Sequence, residues 1–294
     1  MAATLPDQQV PAVHNRRVGD MLVTCVSDGF LDGSLAVLQG IEQDDAAAML
    51  RAAFRPVPRR TALNCCLVRA GGRTALIDTG AGPHMQASSG RLLHNLAAAG
   101  VETREVDTVL LTHMHPDHSN GLADAHGAAV FPSAELAMHE DEHLYWCDEA
   151  AAARCAASGQ GVTYHAMART QMAPYHDRLR LHRGGEVFPG VSALHLPGHT
   201  PGHCGYRIDS GDATLLIWGD IVHVPEVQVP RPEVRMQFDV DPDAAEATRR
   251  QVFDMVATDR QPFAGMHLHF PGTAHMARDG SGYRLYPEAW SQAL

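Results

Sequence analysis

Short apolar runs bounded by glycine, and stretches in which apolar and polar residues alternate, dominate the first third of the chain. MLVTCVSDG (21–29) reads as a strand, and LNCCLVRAGGRTALIDTG (63–80) as a hairpin closed by Gly71 and Gly72. In SSGRLLHNLAAAG the period changes. A capping serine, apolar Leu92, Leu93 and Leu96 and a terminal glycine predict an amphipathic helix from Ser88 to Gly100. VDTVLL is then a short buried strand. The segment from Ser133 to His182 is Ala-rich and polar, with helical spacing in HEDEHLYWCDEAAAARCAA, so a helical insertion is expected at about residues 140–175. Strands return in VSALHL and in the hairpin YRIDSGDATLLIWGD. In DPDAAEATRRQVFDMVAT, Asp241 is placed to cap a helix, Pro242 to open it, and Val252, Phe253 and Val256 to form its apolar face. GMHLHFPG and GYRLYP read as terminal strands.

No fixed repeat or low-complexity linker divides these elements, so the 294 residues are expected to fold as one domain. Hydrophobic residues make up 45% of the chain and charged ones 19%, enough for a large core. A formal net charge of −11 disfavours a phosphate backbone as partner, because such affinity comes from lysine and arginine neutralising phosphates. The first twenty residues lack the apolar stretch of a secretory signal or membrane span, and a cytoplasmic location is expected. Six cysteines without C-x-x-C spacing read mostly as small buried hydrophobes. The 19 histidines change the picture, since imidazole is the commonest metal ligand at neutral pH.

Three of these histidines and an aspartate fall within six residues of VLLTHMHPDHSNGL, directly after a buried strand: His113, His115, Asp117 and His118. Pro116 places them in a loop. Residues at i and i+2 of an extended backbone project to one side, so His113 and His115 suit one ion while Asp117 and His118 turn toward a second. Packing alone does not account for the cluster, because each buried ring or charge would need its own partner.

His-x-His-x-Asp-His after a strand resembles the signature of metallo-β-lactamase-fold hydrolases. The resemblance continues through LHLPGHTPGH, WGDIV and GMHLHFPG, which supply His199, Asp220 and His267 in the family's order. From VTCVSDG to the ending MHLHFPGTAHMARDGSGYRLYP the chain resembles the methyl parathion hydrolase branch, which is related to lactonases. That likeness implies an αββα sandwich, an α/β fold of two packed mixed sheets flanked by helices, and a homodimer. It also implies that His113, His115 and His199 hold one metal, that Asp117, His118 and His267 hold another, and that Asp220 bridges them, with Asp117 and Asp220 part of the catalytic apparatus. Zinc is the default for such donors, with iron, manganese or cobalt able to replace it. Asp78 of LIDTGAG matches the family's Asp-Thr-Gly turn and is expected to orient a metal-bound histidine.

Tyr145 and Trp146 are expected to wall the substrate pocket, with burial in the insertion's own core as the alternative. His269 is a pocket candidate that competes with His267 as ligand. His203 is expected outside the ligand set, and His223, among others, in a surface or local structural role. Such a centre can drive a metal-bridging hydroxide onto a lactone or aryl ester, with phosphotriester cleavage as a side activity. A true phosphotriesterase is the nearest alternative, and a mononuclear iron persulfide dioxygenase the rival of another class. A nuclease is disfavoured by the charge, a glyoxalase-type thioesterase by the strand-like GYRLYP ending, and a flavodiiron oxidoreductase by histidine at 115. A non-catalytic module would have lost ligands, and all seven positions are filled.

Overall fold

The computed structural model describes residues 9–157 and 161–294. Its strands in chain order begin with β1 (Val13–Val18), β2 (Met21–Gly33), β3 (Leu38–Gln39), β4 (Arg59–Ala70) and β5 (Arg73–Ile77). They continue with β6 (Thr108–Leu110), β7 (Glu135–His139) and β8 (Leu179–His182). A first sheet runs in the order β1-β2-β4-β5-β6-β7-β8, antiparallel up to β5 and parallel beyond it. The second half contributes β9 (Gly185–Phe188), β10 (Val191–His195), β11 (Cys204–Ser210), β12 (Ala213–Ile217), β13 (Arg235–Met236), β14 (Phe263–Ala264), β15 (Thr273–Asp279) and β16 (Gly282–Pro287). All but β13, which pairs with β3, form a second mixed sheet in the order β16-β15-β14-β12-β11-β10-β9.

The central strands are buried on both faces, which is why their sequences read as continuous apolar runs. On β4, Cys66 and Val68 face the second sheet and pack with Tyr206, Ile208 and Ile217, while Cys65 and Leu67 face outward. Beside β3 and β13, α1 (Gln43–Ala52) packs with α7 (Pro225–Gln228); the first outer face is covered by α2 (Leu92–Ala98) and by the insertion, where α4 (Glu140–Cys147), α5 (Glu149–Ala157) and α6 (Gly161–Met172) follow one another. On the second, α8 (Pro242–Thr258) buries Val252, Phe253 and Val256 against Trp218 and Phe263, and Asp241 accepts a hydrogen bond from Ala244 N as its cap. The layers are therefore helix, sheet, sheet, helix, with the main core between the sheets. Cys25, Cys65, Cys66 and Cys204 are buried free thiols and Cys147 is exposed, while the Cys155 side chain lies outside the described residues.

Three local expectations need correction. Serine does not cap α2: Ser88 and Ser89 donate to Phe30 O and Gln86 O, and the helix opens only at Leu92. Its N-terminal donors are taken instead by Asp28 of β2, whose carboxylate accepts from Gly90 N and Leu92 N. Pro116 does not exclude a helix. It opens one turn, α3 (Pro116–Ser119), where its missing N–H costs nothing. GMHLHFPG is not a strand, because the ladder ends at Ala264 and the chain turns through Gly265 and Gly272 before β15.

Candidate metal centre

The C-terminal ends of β6, β10, β12 and β14 lead into loops that bring the seven sequence-predicted side chains together. His113, His115 and His199 form one group of facing ring nitrogens, with His113 Nε2 3.0 Å from His115 Nδ1 and His115 Nδ1 2.8 Å from His199 Nε2. Asp117, His118 and His267 form a second, in which Asp117 Oδ2 is 3.6 Å from His118 Nε2 and 3.5 Å from His267 Nε2. Asp220 lies between them. Its Oδ1 is 3.2 Å from His118 Nε2, and its Oδ2 is 3.1 Å from His267 Nε2 and 3.4 Å from His199 Nε2.

The outward nitrogens of four of these rings are already engaged. His118 Nδ1 donates to Asp78 Oδ2 at 2.8 Å, His199 Nδ1 to Asp239 Oδ1 at 2.8 Å, and His267 Nδ1 to Ala62 O at 2.8 Å. Thr112 Oγ1 donates to Asp78 Oδ2 and therefore accepts from His113 Nδ1. Each contact places the hydrogen on the outer nitrogen and leaves the inner one with a lone pair, the arrangement that orients metal-bound imidazoles. Asp78 thus orients one ring of each group, His118 directly and His113 through Thr112. It does so from a buried turn at φ +60°, where an aspartate is tolerated.

Charge sharpens the argument. Burial and the neighbouring His118 push His113 well below its usual range, and burial and His199 do the same to His115, so both rings are neutral donors. For Asp220, burial acts to raise the carboxyl, but the facing His118, His267 and His223 outweigh it and hold it well below the usual carboxylate range. Burial opposes charge on His118 as well, yet Asp220, Asp117 and Asp78 hold it well above the usual value. The cluster demands positive charge at its centre. His118 Nε2 and Asp220 Oδ1, both buried and 3.2 Å apart, meet no partner in hydrogen-bonding geometry among the described residues. Nitrogen and carboxylate donors in this geometry fit divalent metal ions of the zinc, iron, manganese or cobalt type.

Several participants carry no signal in the sequence. His223, expected in a local or surface role, is instead buried with Nε2 3.0 Å from Asp220 Oδ2, three residues further along the loop after β12. Asp239, which fixes His199, belongs to no motif. His203 lies outside the ligand groups, as expected, and braces the centre from there, donating to Leu196 O and accepting from Asp220 N at 2.9 Å. His269 also lies outside them, paired with Glu226 at 2.5 Å beside a smaller cavity, because the turn after Ala264 points residues 267 and 269 in different directions.

Five of the seven, His115, Asp117, His199, Asp220 and His267, floor a cavity of about 190 Å³ with Leu31, Met85, Tyr164 and Phe238 among its walls and Arg59 as its one arginine among the described residues. Neither Tyr145 nor Trp146 lines it. Trp146 is 2% exposed, packs edge-on at 5.5 Å against the His115 ring and donates from Nε1 to Glu142 at 2.6 Å, so it supports a candidate ligand from behind. Among the described residues, the insertion's contribution to the cavity wall is Tyr164 of α6.

An αββα sandwich with a His/Asp cluster at its strand ends defines a metallo-hydrolase architecture. The chain belongs to the metallo-beta-lactamase superfamily, whose family model matches residues 59–261. It is similar to a solved structure described as hydrolase AbOPH in the beta lactamase superfamily, at 31% identity over 97% of this chain and 100% of that one, with a TM-score of 0.91. It is also 26% identical over 133 residues to an N-acyl homoserine lactonase of a Bacillus species, covering 43% of this chain and 44% of that protein. A ribonuclease Z of Mycolicibacterium gilvum is 41% identical over 70 residues, 24% of this chain and 21% of that protein. Among the described residues no helix is long and apolar enough to cross a membrane.

Proposed function

We propose that the chain, acting as one domain, is a two-metal hydrolase of lactones or aryl esters, with phosphotriester cleavage as a weaker side activity. His113, His115 and His199 hold one divalent ion, Asp117, His118 and His267 the other, and Asp220 reaches both, with zinc as the default metal. The observation that carries this reading is the set of outward ring nitrogens tied to acceptors, so that the inward lone pairs converge on Asp220. Bound divalent ions supply a nucleophile from water near neutral pH and polarise the oxygen under attack.

The chain's own residues choose the substrate. Leu31, Met85 and Phe238 offer an apolar wall to an acyl or aryl group, and Tyr164 closes the side formed by the insertion. A cavity of about 190 Å³ admits a small molecule, and its single arginine, with the −11 charge, argues against an RNA strand. The ribonuclease Z likeness spans too little of either protein to weigh against this. The similarity to a lactonase supports the lactone, whose ring-opened alkoxide stays tethered beside the centre until it is protonated.

Metal analysis of the purified protein should find two ions per chain, and chelation should remove activity in step with metal. One tightly held iron with oxygen uptake on persulfides would replace the reading with the mononuclear oxygenase. The substrate itself is tested by comparing kcat/KM for acyl-homoserine lactones, dihydrocoumarin, p-nitrophenyl esters and methyl paraoxon. A lactone or aryl ester should lead. If methyl paraoxon led by more than about tenfold, roughly 1.4 kcal/mol in transition-state binding, the protein would be a true phosphotriesterase.

A further inference from the structure

Glu142, the third residue of α4, has no place in the ligand set, yet it is fully buried a few ångströms behind it. Its Oε1 accepts from Met114 N at 2.8 Å and from Trp146 Nε1 at 2.6 Å. Its Oε2 accepts from Thr200 Oγ1 at 2.5 Å and from Gly202 N at 3.1 Å. Four donors occupy the roughly four acceptor sites of a carboxylate and favour its ionised form, against the burial that pushes the carboxyl up.

The identity of the donors is the informative part. Met114 stands between His113 and His115 on the loop after β6 of the first sheet, whereas Thr200 and Gly202 follow His199 on the loop after β10 of the second. Those two loops carry the three-histidine group and come from different sheets. We infer that Glu142 is a positioning residue that ties the His113–His115 loop to the His199 loop and so sets the separation of the three rings. Gly202 completes the joint: a Cβ there would lie 2.1 Å from Glu142 N, so only glycine lets the second loop reach the start of α4. Trp146, one turn along the same helix, braces the carboxylate while its ring backs His115.

This inference rests on the two-metal reading, and it makes the two ions unequal in their dependence on the insertion. Glu142→Gln keeps the shape but turns an NH₂ toward donors on one side. The affinity of one of the two sites, titrated against a chromophoric chelator, should fall about 10–100-fold, as it does when an orienting partner is lost. In the cobalt-loaded protein the visible bands of that site should shift while those of the other persist. Thr200→Val, which leaves the carboxylate in place, should weaken the same site about fivefold, the value of one hydrogen bond. It carries the test if the Gln variant does not fold. Wild-type affinities and cobalt spectra in the Gln and Val variants, with only a lower Tm, would make Glu142 a packing residue and overturn the inference alone. A wild-type protein that holds no pair of ions would overturn the two-metal reading and this inference with it.

Discussion

Asp220→Asn is expected to lower kcat/KM on the order of 10³-fold or more, the rate equivalent of several kcal/mol of lost charge stabilisation. Among the described residues Asp220 is the one carboxylate whose oxygens face rings of both histidine groups, and its backbone N–H is fixed by His203. An amide keeps the volume, removes the negative charge on which His118, His199, His223 and His267 converge, and can offer only one acceptor oxygen. The loss should fall on kcat and on metal content together, with the far-UV circular dichroism unchanged, because the core between the sheets lies away from the loops that carry the cluster. Metal analysis beside the rate assay decides the cause. A variant that keeps both ions and works within about tenfold of wild type would remove Asp220 from its central position.

The candidate ligand groups were legible because they are local: four side chains fall within six residues behind a buried strand, and the others stand after strand ends in sequence order. What orients them was not. Asp239 meets His199 across 40 residues, and Glu142 meets Met114 and Thr200 across 28 and 58, with no periodicity or motif to announce the contact. The same limit explains α2, which looked capped by its own serines but is capped by Asp28 from 64 residues upstream.

Side-chain direction was the other gap. Tyr145 and Trp146 sit on a helix whose sequence does not say which face meets the centre. The close approach of Gly202 to α4 fixes that face, turning Glu142 and Trp146, four residues apart, inward together and leaving the cavity wall to Tyr164 of α6. GMHLHFPG misled for a related reason. Alternation in a two-sided pattern is a strand signal only where a ladder continues, and here it ends before the first histidine.

Arg249→Met should destabilise the protein by about 3 kcal/mol, and should also loosen the loop that follows Asp220. The guanidinium is 2% exposed on α8, where it donates from Nε to Ile221 O at 2.8 Å and from Nη1 to Pro232 O at 2.8 Å and Val234 O at 3.0 Å. It thereby clamps both ends of the segment that supplies Asp220, His223 and Asp239. Methionine fills most of the apolar stem volume but donates nothing. Val234 O keeps Gln228 Nε2 as a donor, whereas the carbonyls of Ile221 and Pro232 lose the only partner the described residues give them. Each buried orphan costs about 1–3 kcal/mol, and hydrogen bonds to a charged donor are worth about 1.5–3 kcal/mol apiece. Against this stands the recovered desolvation cost of a buried cation, which is why the net figure stays near the lower end of that sum. Urea unfolding at unchanged slope should show the shift as a lower midpoint. Because the clamp holds the backbone directly after Asp220 and five residues before Asp239, the variant should also bind metal more weakly at temperatures where it is still folded. Lysine at 249 should not rescue either effect, since one ammonium cannot span carbonyls that a planar guanidinium reaches from two nitrogens. A variant with a wild-type midpoint would mean that the three carbonyls find water instead, and that α8 does not hold the loop.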